Sequence, residues 1–181
     1  MYRHCNTEES ALRQKQLEQC LLEQMSSVPY SQITVSDICD RAGLSRKSFY
    51  RYFGSKEGCL TALIDHTIID GASFYLSDQW QQSHRSVCER FFLYWQEHAA
   101  LLDALTRNEQ RMLFCQRLMS HAFQEEHEIR ALLGKSQNAS YGRLTFMISG
   151  IMGTLLSWHH QGFHLSAEEM ADILVDATRN F

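Results

Sequence analysis

Residues 34–56 read TVSDICDRAGLSRKSFYRYFGSK, and the fold follows from this stretch. Thr34 can accept bonds from free amides, with Asp37 three residues on, so a helix is expected to begin there. Its apolar stripe, Val35, Ile38, Cys39 and Ala42, has helical spacing, and Gly43 ends it. Ser45 then caps a short third helix that runs to Phe53. A step of 100° per residue puts Phe49 and Phe53 on one face, with Leu44 just before it. Lys47, Ser48, Tyr50 and Arg51 point the other way, and Arg46 and Tyr52 flank the boundary. Helix, glycine turn and helix with an outward basic face make a helix-turn-helix. Arginine and lysine can reach guanine O6 and N7, hydroxyls can bind phosphate oxygens, and the helix starts at Thr34 and Ser45 offer amides to phosphates.

Working outward, a first helix is expected after Thr7, with Glu8 and Glu9 in its first turn, running to about Met25 and burying Leu17, Cys20, Leu21 and Met25. Ser26, Ser27 and Pro29, the only proline, stop it. A fourth helix starts at Ser55, with Glu57 in its first turn. The remainder reads as helices over about 55–80, 85–103, 107–130, 137–161 and 166–179. The last is the clearest, because Ser166 and Glu169 form a capping box ahead of Met170, Ile173, Leu174 and Ala177. The expectation is an all-α chain of about nine helices. Residues 1–56 form a helix-turn-helix domain and 57–181 a larger helical domain for ligand binding and dimerisation.

The chain has 181 residues, 44% of them hydrophobic and 21% charged, enough apolar material to close a core. Its net charge of −4 is unevenly placed: residues 1–60 carry eight Lys/Arg against seven Asp/Glu, and 61–181 carry nine against fourteen. The window from Arg41 to Lys56 holds Arg41, Arg46, Lys47, Arg51 and Lys56 and no acid, which marks a place for anions. The weakly polar run from Leu144 to Trp158 is interrupted by Ser149, Gly150, Gly153 and Ser157 and falls short of the roughly 18 residues of a bilayer span. Arg3, His4, Glu8 and Glu9 have no apolar run behind them, so no secretory signal and a cytoplasmic protein are expected. The six cysteines contain no C-x-x-C pair and read as buried or idle thiols.

The segment Thr34 to Leu60, with its GLSRKSFYRYFGSKE core, resembles the signature of the tetracycline-repressor-like (TetR/AcrR) bacterial regulators. Gly150, Gly153, Trp158, Gly162 and the SAEEMADIL run resemble the family's last two helices. The resemblance covers residues 10–60 closely and is faint over 61–135. It implies backbone-phosphate contacts for Tyr50, Lys56 and Ser36, and base or phosphate contacts for Arg46, Lys47, Ser48, Arg51 and Tyr52. Phe49 and Phe53 match core positions. The basic pair Arg46-Lys47 departs from the family's commonest pattern, a small residue there, and implies a guanine preference. The implied partners are a double-stranded DNA operator, a small-molecule effector and a second copy of the chain.

The small-residue stripe Ser149, Gly153 and Ser157 would let another helix approach closely. With Met152, Leu156, Ile173 and Leu174 it is the candidate dimer face. Two recognition helices about 34–36 Å apart would then read a near-palindrome. The middle of the chain supplies the candidate effector-lining residues Phe91, Tyr94, Trp95, His98, Phe114, His121 and Phe146. His159, His160 and His164, and His121 beside the 125–128 cluster of Glu and His, read as solvated faces and not as a metal site. No cofactor is expected. The chain has no G-x-S-x-G, H-E-x-x-H or phosphate-binding glycine loop, so no enzyme is expected either. The expected function is a ligand-released repressor that binds its operator as a homodimer. The alternative is a small-molecule-binding helical protein or co-regulator without tight DNA binding.

Overall fold

The computed structural model describes residues 2, 5, 7–76, 83–124 and 141–178. Among them are nine α-helices and no strand: α1 (Glu8–Met25), α2 (Val35–Ala42), α3 (Arg46–Tyr52), α4 (Lys56–Tyr75), α5 (His84–Glu97), α6 (Ala99–Arg107), α7 (Arg111–Gln124), α8 (Tyr141–His160) and α9 (Ala167–Thr178). A single 3₁₀ turn, Tyr30–Gln32, lies between α1 and α2. The chain is all-helical, as its spacing predicts.

Local chemistry sets most of the boundaries. Thr7 caps α1 by accepting from the Ser10 N–H. At α2 the Thr34 hydroxyl accepts from the Asp37 N–H, and the Asp37 carboxylate accepts from the Thr34 N–H at 2.8 Å, closing a capping box. Gly43, at φ 62°, ends α2 in the left-handed region, where a side chain is strained. Ser45 caps α3 and Ser83 caps α5 in the same way as Thr7 caps α1.

The helix expected over 85–103 is instead two helices. His98 leaves the helical region at φ −98°, ψ 24°. Its Nδ1 lies 2.8 Å from the Tyr94 carbonyl oxygen, which also accepts the His98 N–H, and its ring stacks on Tyr94 at 4.0 Å. A side chain that competes for the carbonyl four residues back ends the helix there. The next helix starts at Arg111 rather than 107, after a turn in which Glu109 takes a left-handed conformation, φ 59°. The expected stretches 77–80, 125–130, 137–140 and 179 lie outside the described residues.

The chain divides into two compact units, Met1–Thr67 with Asp103–Phe114, and Ile68–Leu102 with Cys115–Phe181. Residue 56, the expected boundary, is the start of α4, and the first unit runs on to Thr67, with Cys59, Leu60, Leu63 and Ile64 of α4 buried in it. Residues 103–114 join that unit through the end of α6. There Asn108 accepts the Tyr30 N–H at 2.6 Å and donates to the Met25 carbonyl at 3.0 Å, and Arg107 donates to the Ser26 carbonyl. Around the core of Leu17, Leu21, Ile38, Phe49 and Phe53, α1, α2 and α3 pack on one another. Burying each such side chain contributes roughly 1.5–3 kcal/mol.

In the second unit α9 packs along α5, and Arg85 ties the two by donating to Asp172 at 2.6 Å and Glu168 at 2.8 Å. The core rings include Phe92, Trp95 and Trp158. Gly71 of α4 lets the Tyr94 ring come so close that an added Cβ would sit 2.7 Å from it. All six cysteines are free thiols.

Candidate nucleic-acid interface and interior cavity

The α3 helix turns one face in and one out. Phe49 and Phe53 are fully buried with ring centroids 5.1 Å apart. Arg46, Lys47, Tyr50 and Arg51 are exposed, Tyr50 by half its surface. The face is rigidly based, because Phe49 also meets Tyr50 edge to face and the Ser45 and Ser48 hydroxyls share a 3.0 Å bond. Ser48 and Ser36 are half-buried, and Thr34 and Ser45 are exposed with their hydroxyls engaged as helix caps.

Three of the sequence-selected residues are placed differently from expectation. Tyr52, expected at the boundary of the outward face, turns into the unit and is only 4% exposed. Its hydroxyl accepts from Arg51 at 2.6 Å, and the Arg51 guanidinium lies 4.8 Å over its ring, so Tyr52 aims the arginine from below. Lys56 donates to the Tyr30 carbonyl at 2.6 Å and the Ile33 carbonyl at 2.7 Å, and sits over the Tyr30 ring. Its ammonium fastens the 3₁₀ turn to α4, leaving one N–H for anything outside. Arg41 donates to the Glu23 carboxylate of α1 at 2.8 Å, which holds the Glu23 carboxyl below its usual range. The acid-free window of the sequence is thus not acid-free in space. What stays outward is Arg46, Lys47 and Arg51 beside the Tyr50 phenol, matched to phosphate oxygens and guanine edges.

Two polar side chains tie α2 to α1. Gln16 donates to the Ala42 carbonyl at 2.9 Å and Gln24 to the Asp37 carbonyl at 3.0 Å, both from α1. No sequence signal marks a glutamine for such a reach.

The second unit contains a cavity of about 130 Å³. Its described lining comes from Tyr75 of α4 and the following Leu76; His84, Val87, Cys88 and Phe91 of α5; Leu118 and Ala122 of α7; Ile148 and Ile151 of α8; and Leu174 and Thr178 of α9. Of the candidate effector-lining residues, only Phe91 is among them. Trp95 is completely buried as core, and Tyr94 is packed between Gly71 and His98. Phe114 lies in the first unit, Phe146 is 59% exposed, and His121 is half-buried away from the lining. Aromatic content marks ring-rich helices, but packing alone decides which ring faces the void.

The candidate dimer residues also separate. Ser149, Gly153 and Ser157 are exposed along α8, Ile173 of α9 is 48% exposed, and Leu156 is half-buried. Met152 and Leu174 turn inward, and Leu174 forms cavity wall. A Cβ built on Gly150 or Gly153 meets nothing within 4 Å. Phe146 on the same helix is exposed too, so the outward face of α8 is both open and partly aromatic. The His and Glu cluster over 125–128 lies outside the described residues.

Residues 21–63 match the family described as bacterial regulatory proteins, tetR family, and residues 82–180 match a transcriptional regulator C-terminal region. The chain belongs to the TetR family. Its fold is similar to a TetR transcriptional regulator from Streptococcus agalactiae, 18% identical with a TM-score of 0.67, covering 94% of this chain and 95% of the other. It is similar to Lin0861 from Listeria innocua, 14% identical with a TM-score of 0.73, over 98% and 96% of the two chains. A tetR-family regulator from Streptomyces coelicolor, 22% identical, aligns with a TM-score of 0.63 over 91% and 80%. No curated protein matches the chain. As a TetR-family member it is a DNA-binding transcriptional regulator. No described helix is long and apolar enough to cross a membrane.

Proposed function

We propose that the chain is a cytoplasmic repressor that holds a near-palindromic operator as a homodimer and releases it when a small molecule enters the second unit, with no catalytic step. The observation that carries the DNA contact is the outward face of α3, where Arg46, Lys47 and Arg51 stand exposed beside Tyr50 over an aromatic base. Phosphate contacts would supply most of the affinity and make it fall steeply with salt. Base preference would rest on Arg46, Lys47 and Arg51. Support for the second copy comes from the outward face of α8, where Phe146, Ser149, Gly153 and Ser157 are exposed. Two copies joined there would present two α3 helices, one per half-site.

A nuclease footprint on the DNA flanking the gene, at near-physiological salt, tests the reading. A protected near-palindrome of two half-sites supports it. Absence of protection there and after selection from random sequence would leave a ligand-binding protein without an operator. Arg46→Ala is expected to cost about 1–3 kcal/mol on the operator and little on random DNA. Lys56→Ala is expected to weaken both alike, and also to lower the melting midpoint, because its ammonium fastens the 3₁₀ turn.

A further inference from the structure

The geometry of the second-unit cavity points to its ligand: a small, uncharged, single-ring aromatic molecule held by packing against an apolar lining. The inference rests on the reading of this unit as the effector unit, and it deepens that reading by naming a chemical class.

Size comes first. A cavity of about 130 Å³ is close to an engineered void of roughly 150 Å³ that binds benzene, and well short of the several hundred Å³ of a drug-sized pocket. One ring fills a space of this size.

Charge comes second. None of the described lining residues is an acid, a lysine or an arginine. A carboxylate or ammonium moved into such a space would lose its hydration without a partner, whereas an uncharged ring would lose nothing comparable. The polar groups that do line it are themselves uncharged near neutral pH. Burial lowers the His84 imidazole and raises the Cys88 thiol to about 11 and the Tyr75 phenol above its usual range. The Cys88 thiol is therefore a soft wall here, not a nucleophile.

Shape and polarity come third. Tyr75 and Phe91 meet edge to face at 5.4 Å, offering a lining ring geometry that aromatic ligands extend. Val87, Leu118, Ile151 and Leu174 supply aliphatic walls. The Thr178 hydroxyl is already committed to the Leu174 carbonyl at 2.8 Å. The surface that the described lining turns to the cavity is almost wholly apolar, so packing rather than hydrogen bonding would hold the ring.

The test uses the purified full chain and three single-ring probes: phenol, benzene and benzoate. Titration calorimetry and melting curves are expected to show phenol binding at least about tenfold more tightly than benzoate. Benzene is expected to bind at least as tightly as phenol. Ile151→Trp is expected to abolish phenol binding, and Val87→Phe serves as a second filling variant if the first does not fold, with near-ultraviolet circular dichroism as the check. Benzoate binding as tightly as phenol, no binding of phenol at millimolar concentration, or undiminished binding in a folded filling variant would each overturn the assignment. Phenol binding without any footprint on DNA would uphold the ligand class and overturn the regulator reading, so the two fail separately.

Discussion

In the first unit, long polar side chains reach to backbone carbonyls: Gln16 to Ala42, Gln24 to Asp37, Lys56 to Tyr30 and Ile33, Asn108 to Met25. In the second, aromatic rings meet edge to face: Phe92 on Trp158, Trp158 on Phe163, Phe91 on Tyr75. Hydrogen bonds are directional and fix a register, which a surface that must match a DNA groove needs. Apolar burial is non-directional, and the rings add an edge-to-face preference without fixing a register. The contrast gives the first unit a fixed register and the second a ring-packed core.

The largest effect expected from breaking this contrast is Trp158→Ala. Trp158 fills the second core and donates to the Leu165 carbonyl at 3.0 Å, and its removal should cost about 3–5 kcal/mol in denaturant unfolding. A loss under about 1 kcal/mol would mean that ring packing is not what holds that unit. Asn108→Ala comes next, at about 2 kcal/mol, since it strands the Tyr30 N–H and the Met25 carbonyl together. Operator affinity should fall with it, and retained affinity would show that the tie does not hold the reading surface.

Smaller still are the matched caps, Thr34→Ala in one unit and Ser166→Ala in the other, each expected to cost about 1 kcal/mol. Equal shifts of a single melting transition would show that the units unfold together, and two separate transitions would show that they do not. The acid partners of those caps sharpen the comparison by pH. Bonds from Thr34 hold the Asp37 carboxyl below its usual range, and bonds from Ser166 do the same for Glu169. A depressed folded pKa contributes stability above the unfolded value, near pH 4, that is lost as pH falls through the folded one. Both carboxylates are exposed, so the effect is small. Asp37→Asn and Glu169→Gln should each flatten the acid limb of a melting-point against pH curve, and an unchanged limb would rule the caps out as its source.

What could be read in advance was chemistry between near neighbours in the chain. Thr34 with Asp37, Gly43, Ser45, and Ser166 with Glu169 act within four residues, and each stands where its pattern placed it. The inward pair Phe49 and Phe53 was legible for the same reason. Tyr52 was not, because the hydroxyl that places it in reach of a phosphate on a helical wheel is taken by the neighbouring Arg51. The pairing of Arg41 with Glu23 joins residues 18 apart on two helices, and periodicity carries no information about it. The cavity is the extreme case. Its wall draws on five helices, so Ile151 and Leu174 became lining and Phe146 became surface only once those helices packed.

The first unit is discontinuous in the chain, built from 1–67 and then 103–114. A ribosome delivers α1 to α4 early, yet the Met25 and Ser26 carbonyls and the Tyr30 N–H wait for Arg107 and Asn108. The first unit is therefore completed only after all of α5 has been made, and a nascent chain halted at Thr67 lacks the piece that closes it. Synthesis order thus withholds a finished first unit until part of the second already exists.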